Sequence, residues 1–391
     1  MTIFVIMKEF IRNRIREGLL TENRVKFNLT IPSDILEIKD VFVKNGFKLY
    51  VVGGAVRDAL LGKTPKDWDL ATDATPDKVE EIMAKGGFKT LPTGKAFGVI
   101  NVFTDDDEYE VATFRTDIGS GRRPDSVEFT TIDQDVKRRD LTINALFFDI
   151  DTNEIVDLVG GISDLKKGIV RTVGKAEERF GEDRLRILRA IRFAGRFGSE
   201  LEPSVDAALK KDASLEGISP ERIRDEFLKG VKTTKSITQF LGLLDKYNLF
   251  NDVFKGLSVS KNFLEERDPI VLLAWLLKNN DPQKLGKTLN KLTYSSTEVK
   301  AITFLVALQQ FNKAEDIYVF KKQQVNAGLS DEQIRKFGRL INFDSKMLDA
   351  FIDFRLSVTG ADAKRELGVE AGPEMGKAIK QRETDRFKAL L

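Results

Sequence analysis

Apolar positions crowd into short runs over the first 160 residues and then spread out at helical spacing. Residues 47–52 form a nearly unbroken apolar run between the Asn45-Gly46 turn and the Gly53-Gly54 pair, which predicts a buried strand. Ahead of it, apolar residues recur from Ile35 to about Val43, a helical period that Ser33 or Asp34 can cap. A helix over 55–62 then ends at Gly62, and 68–72 reads as the next strand. Further strands are predicted at 97–103, 108–115, 145–150 and 154–159. Beyond about residue 175 the period is helical almost throughout, with core-facing segments at 271–277, 299–308 and 347–354. Residues 1–30 read as an added amphipathic helical segment. There is no repeat of fixed period and no low-complexity tract. The pattern describes a mixed α/β head with a short sheet, ending near Gly160-Gly161, and an elongated all-helical remainder.

Composition narrows the chemistry mainly by omission. The 391 residues allow two or three domains, and 41% apolar with 32% charged residues fits a globular chain rich in charge. Net charge is only +2, so affinity for a polyanion must come from local clusters. The chain has no cysteine and no histidine. Disulfides, thiolate and imidazole metal sites, and serine–histidine triads are thereby excluded, leaving carboxylates as the natural metal ligands and bases. No apolar stretch approaches the roughly 20 residues that span a bilayer. The opening apolar residues precede Lys8, Arg12 and Arg14, the reverse of a signal peptide, and a cytoplasmic location is expected.

Against that background, Asp67 and Asp69 stand out. Residues i and i+2 of a strand share a face, so both carboxylates can meet one site. Hard divalent cations such as Mg²⁺ prefer a few carboxylate oxygens together with substrate phosphates. The preceding glycine pair ends a strand and opens a helix, which brings backbone N–H groups, that of Gly54 among them, toward a phosphate. Together these features point to nucleotidyl transfer on two metal ions, with Asp67 and Asp69 as metal ligands. A third carboxylate normally completes such a site; Glu110 is the leading candidate, with Asp107 and Glu108 as rivals and a surface ladder charge as the alternative.

Other clusters fit the same chemistry. Arg57, in the first turns after the glycines, has the fork geometry to clamp a triphosphate, or else pairs inside the head with Asp58 or Asp69. Arg139, Asp140 and Asn144 combine a phosphate-reading guanidinium with groups suited to ribose hydroxyls, in what is otherwise a charged turn. Asp183 and Arg186, three apart on an expected helix, set an acceptor beside a donor. Cytosine and adenine present the complementary donor–acceptor pair, whereas guanine and uracil reverse it; mismatched, the pair leaves buried polar groups unpaired at about 1–3 kcal/mol each. An ordinary surface ion pair is the alternative. Arg189, Arg192 and Arg196 extend a basic stripe from Arg186.

Six ordered segments carry a family resemblance: Gly53-Gly54-Ala55-Val56-Arg57-Asp58 with Asp67-Trp68-Asp69; Glu110 to Arg115; Arg138 to Ala145; Asp157 to Gly161; Glu182 to Arg186; and Ser219 to Arg224. Over about 31–235 the chain resembles the class II tRNA nucleotidyltransferase and bacterial poly(A) polymerase family, within the polymerase-β nucleotidyltransferase superfamily. The resemblance implies an α+β fold: a nucleotidyltransferase head with a small mixed sheet over 31–160, a helical neck with a base-reading helix over 161–255, and an RNA-binding helical body and tail over 256–391. It implies catalysis by Asp67, Asp69 and Glu110 with Mg²⁺. Nucleotide contacts are implied for Gly54, Arg57, Arg139, Asp140, Asn144, Asp183, Arg186 and Arg189. The expected reaction is CCA addition from CTP and ATP to the 3′ end of tRNA, with poly(A) synthesis or a silent RNA-binding relative as alternatives. In the family the glycine-rich stretch 115–125 is a flexible loop that matters for switching from C to A. Phe97 and Arg123 stand where family members often carry histidine.

Overall fold

A computed structural model describes residues 23–119, 125–368 and 371–391. The chain divides into two compact units, Met1–Ala213 and Ser214–Leu391. That division falls inside the segment read from sequence as a single neck.

The N-terminal unit is built on an eight-stranded sheet. Its strands are β1 (Arg24–Lys26), β2 (Leu49–Val52), β3 (Asp69–Thr72), β4 (Lys89–Gly94), β5 (Val99–Phe103), β6 (Glu108–Thr113), β9 (Phe147–Asp149) and β10 (Glu154–Val156); β7 (Arg115–Ile118) and β8 (Ser126–Phe129) form a separate hairpin. The order is β1-β10-β9-β2-β3-β6-β5-β4. Only β3 and β6 run parallel; every other pair is antiparallel. The central strand β2 is buried along its whole length, as its apolar run requires.

Two edge strands depart from the sequence reading. The expected helix over 1–30 does not hold at its end, because Arg24–Lys26 pairs with β10 and turns Val25 into the core. Residues 1–22 lie outside the described residues. β4 is polar and contains Pro92, which only an edge strand tolerates because it makes one ladder rather than two.

Helices cover the two faces unequally. α1 (Ser33–Lys44) and α2 (Gly54–Leu60) flank β2, and α3 (Pro76–Lys85) follows β3. Neither Ser33 nor Asp34 caps α1: Pro32 occupies the cap position, and the Asp34 carboxylate instead accepts the Tyr109 hydroxyl at 2.6 Å. Tyr109 shares a sheet face with Val111, so α1 covers that face. The opposite face carries Tyr50, Val52 and Ala71, packed with Phe114, Val136, Ala145, Phe147 and Val173. α4 (Ile132–Asp135), α5 (Gly161–Lys167), α6 (Ala176–Glu182), α7 (Leu185–Phe197) and α8 (Pro203–Lys211) complete the unit. α7 is buried on most of its sides, by Ile187, Leu188, Ile191, Phe193 and Ala194, and Arg192 is buried among them.

Among the described residues of the C-terminal unit, helices are the only regular secondary structure. The three predicted core segments fall in the helices Pro269–Leu276, Ser296–Leu308 and Ser345–Asp353, which bury Trp275, Phe304 and Phe351. Serine or aspartate caps open most of these helices, as at Ser219, Ser236, Asp268, Ser295 and Ser330. No helix among the described residues is long and apolar enough to cross a membrane.

Candidate active site

Asp69 opens β3, one residue later than the strand expected from sequence, and its β2 partner is Val52. Asp67 precedes the strand, so strand alternation does not by itself place it on the face of Asp69. Both side chains are exposed. Asp69 nevertheless sits among enough protein that burial raises its carboxyl above the ordinary value; Asp67 adds to that rise, and Arg139 opposes it.

Register places the candidate Glu110 next to Asp69. Leu70 lies opposite Val111 in the parallel β3–β6 pair, so one step back on each strand sets Asp69 beside Glu110 on the same face. Adjacent strands are about 4.8 Å apart, within reach of two carboxylates sharing a ligand. The rivals are engaged elsewhere. Glu108 accepts from Asn101, and Asp107 accepts the backbone N–H of Glu108. Among the described residues no group of three or more Asp or Glu is drawn close enough to enclose a metal ion. The carboxylates form an open rather than a closed donor set.

Gly53 adopts φ +67° and ψ −114°, a conformation that side chains other than glycine strongly resist. It lets the chain turn from β2 directly into α2, which starts at Gly54 and has no side-chain cap.

Arg57 takes the intramolecular alternative. Its buried guanidinium donates to Asp58 Oδ1 at 2.9 Å and to Asn144 Oδ1, and lies 5.0 Å above the Phe193 ring. Asp58 also receives Arg196 Nη2 at 3.0 Å. Asn144 turns its amide nitrogen to Asp140 at 3.3 Å, and Asp140 receives Arg189 Nε at 2.6 Å. Thus three of the residues expected to read nucleotide, Arg57, Asn144 and Asp140, form a polar chain from α2 to Arg189 on α7.

Arg139 is oriented by a residue the sequence reading passed over. Asp135, only 1% exposed, accepts Arg139 Nε and Nη2 at 3.2 and 3.1 Å, Arg138 Nε at 2.9 Å and the Arg115 backbone N–H at 3.1 Å. The Arg139 guanidinium also lies 4.5 Å from the centre of the Phe147 ring. The i+3 and i+4 spacings from Asp135 to the two arginines are visible in sequence; the burial that gives them force is not.

Asp183 and Arg186 do not share one helix. α6 ends at Glu182, Asp183 is extended, and its Oδ1 accepts the Leu185 N–H at 3.0 Å as α7 begins. Arg186 is held by Glu182 Oε2 at 2.6 Å, by the Arg138 carbonyl at 2.8 Å and by the Arg179 carbonyl at 3.2 Å. Glu182 also receives Arg179. The expectation of an i,i+3 helical pair therefore gives way to a helix break with Arg186 braced from three sides. Arg115, at the start of the glycine-rich stretch, donates to the Phe97 carbonyl. Phe97 ends a short 3₁₀ turn before β5. Residues 120–124, with Arg123, lie outside the described residues.

Comparison with known proteins identifies the family. Residues 49–171 match the poly A polymerase head domain, and 198–260 match a family described as the probable RNA and SrmB-binding site of polymerase A. A CCA-adding enzyme of Ligilactobacillus salivarius is 33% identical over 374 residues, covering 90% of this chain and 91% of that protein. One from Streptococcus pneumoniae is 31% identical over 385 residues, covering 92% and 93%. The crystal structure of the Bacillus stearothermophilus CCA-adding enzyme in complex with CTP superposes with a TM-score of 0.68 at 28% identity, over 92% of this chain and 94% of that one. With likeness running the length of both chains, and a head domain matched over the strands that carry Asp69 and Glu110, this protein belongs to the class II family of CCA-adding enzymes and poly A polymerase heads.

Proposed function

We propose that this chain adds CMP and AMP from CTP and ATP to the 3′ end of tRNA, completing its CCA terminus without a nucleic-acid template. The observation that carries the reading is the placement of Asp69 beside Glu110 on neighbouring strands, with Asp67 two residues earlier, in a chain alike over its whole length to CCA-adding enzymes.

The donor set fits Mg²⁺. Asp67 and Asp69 offer exposed hard oxygens, and the upward push on Asp69 marks negative charge that a divalent cation would relieve. When bound, the ion would polarise the triphosphate and lower the pKa of the attacking tRNA hydroxyl. Glu110 is proposed as the third carboxylate; substrate phosphates supply the remaining oxygens of the open site.

The protein's own groups then position the nucleotide. Arg139, fixed by Asp135 and Phe147, presents a charge beside Asp69 where a triphosphate lies. Asp183 and Arg186 read the base edge, admitting cytosine and adenine. The network through Asp140, Asn144 and Arg57 holds α7 in register with the head, and Gly54 leaves the start of α2 open to phosphate. The reaction takes place in the cytoplasm, where the tRNA pool and both triphosphates are found.

The test is direct: the protein is incubated with tRNA lacking its terminal nucleotides, Mg²⁺ and each labelled triphosphate, and the products are sized. Ordered incorporation of C, C and A supports the proposal. A long ladder of A would mark a poly(A) polymerase instead, and no incorporation with any divalent ion would remove both readings.

A further inference from the structure

The helix Ile317–Ala327 in the C-terminal unit buries a lysine among aromatic and aliphatic groups. Lys321 is only 4% exposed. Its ammonium donates to Gln324 Oε1 at 2.8 Å, stands 4.4 Å from the centre of the Phe351 ring, and reaches the Ile352 carbonyl only at 3.5 Å. Among the described residues no carboxylate lies within ion-pair distance of it. The nearby acids are already engaged: Asp331 pairs with Arg355 at 3.4 Å, and Asp353 with Arg335 at 3.9 Å. A buried ammonium left without an anion is costly, and burial, with the like charge of Arg355, pushes Lys321 down to about 8.

This lysine lines a cavity of about 330 Å³, which Arg355 shares. Val325, Leu329 and Phe354 supply apolar walls. The volume lies at the lower end of the range of small-molecule sites, and the lining has their usual make-up of apolar walls with few, placed polar groups. Arg355 also donates to the Phe354 carbonyl at 3.1 Å, which fixes it at the mouth. An ammonium carries three donor hydrogens, and among the described residues Gln324 is the only acceptor close to ideal distance. Two cations, of which only Arg355 is paired with an aspartate, thus face a pocket that has room for a counter-charge.

We propose that this cavity binds a small organic anion, a carboxylate or phosphate monoester on an apolar body, with Lys321 as its principal charge partner and Arg355 as the second. All the lining residues belong to the C-terminal unit, and the proposal stands independently of the reaction assigned to the head.

The experiment is isothermal titration of the full chain with benzoate, phenyl phosphate and inorganic phosphate, at ionic strength held constant with sodium chloride. At least one aromatic anion is expected to bind with a Kd below about 1 mM, and inorganic phosphate, which lacks the apolar body, about tenfold more weakly. Benzoate binding without phenyl phosphate identifies a carboxylate ligand, and the reverse a phosphate ester; either supports the proposal. Lys321→Met keeps the stem and its packing, and should weaken binding by about tenfold or more. Arg355→Gln, at a largely exposed side chain, should weaken it by a smaller factor and carries the test if Lys321→Met does not fold. Equal affinity in wild type and both variants, or no binding of any anion, would overturn the proposal. So would variants that lose only tRNA affinity, which would assign the two cations to an RNA phosphate.

Discussion

Asp140 and Arg189, 49 residues apart in sequence, close an ion pair of 2.6 Å that fastens α7 to the head. The contact continues through Asn144 to Arg57, from Arg57 to Asp58, and from Asp58 back to Arg196 on the same helix. Arg189 and Arg196 are seven residues apart, two turns of one helical face. The network therefore grips α7 at two points with four intervening side chains, each buried group satisfied by the next. In a low-dielectric interior such a closed chain holds one geometry far better than any single pair. It fixes the helix that begins beside Asp183 and Arg186 relative to the strand that carries Asp69.

Breaking the pair should cost most near neutral pH and least in acid. Burial alone would raise the Asp140 carboxyl; Arg189, the Leu141 N–H and Asn144 overcome it and hold it below 3.8. A carboxyl depressed in the folded state contributes stability that is complete above its unfolded value and is lost as pH falls through its folded value. Arg189→Gln removes the main opposing charge and leaves a buried carboxylate, at a cost of about 3 kcal/mol near neutral pH. Urea unfolding followed by circular dichroism should find the variant less stable near neutral pH, with the gap to the parent narrowing as pH falls through the folded value of Asp140. A gap that does not change with pH would mean that the pair does not carry the linkage.

Asp135 is predicted to act through Arg139. Asp135→Asn preserves shape but removes the charge that three donors share, two guanidiniums and a backbone N–H. Charge-assisted hydrogen bonds of this kind are worth roughly 1.5–3 kcal/mol. Freed from Asp135, the Arg139 guanidinium should hold the triphosphate poorly, raising KM for both CTP and ATP by about tenfold or more while the C-to-A preference stays intact. Steady-state kinetics with each triphosphate separates this from a general loss of folded protein, which would lower kcat and leave KM alone.

Asp67→Ala and Asp69→Ala should each abolish incorporation, since either change removes one of the three carboxylates proposed to hold the ion. Glu110→Gln tests the third position on its own: a fall in kcat of about a hundredfold or more, partly recovered at high Mg²⁺ or with Mn²⁺, is the expected outcome. If Glu110→Gln retains near-normal turnover, the carboxylate beside Asp69 in register is not a ligand.

How far these roles can be read from sequence depends on whether the signal is local. The run 47–52 announced β2 because a strand buried on both faces must be apolar at nearly every position. The alternation in β6, with Tyr109 and Val111 inward and Glu108 and Glu110 outward, is equally local. What sequence lacks is the pairing of β3 with β6, a tertiary register that alone singles out Glu110 from Glu108 and Asp107. Asp135 shows the same limit, because its arginine spacing resembles any solvated charge run until burial is known. The break at Asp183 is legible, because an aspartate two residues before an apolar helical run is a local signal for a helix start. β1 and β4 are not, being edge strands with too few apolar positions to set a period.

The helix break changes what substitutions at the base-reading segment should do. Asp183 accepts the Leu185 N–H where α7 begins, so Asp183→Ala removes a hydrogen bond at the helix start as well as an acceptor, at about 1 kcal/mol of stability. Arg186 is braced by Glu182 and the Arg138 carbonyl, so Glu182→Gln leaves both base-reading residues in place and loosens only the brace. Single-nucleotide incorporation with all four triphosphates distinguishes these effects. Asp183→Ala should admit guanine or uracil nucleotides at rates within about tenfold of the correct ones, because the acceptor that rejects them is gone. Glu182→Gln should slow C and A alike and keep the discrimination. If Asp183→Ala slows every nucleotide equally, with selection intact, then the carboxylate serves only the helix start and the base edge is read elsewhere.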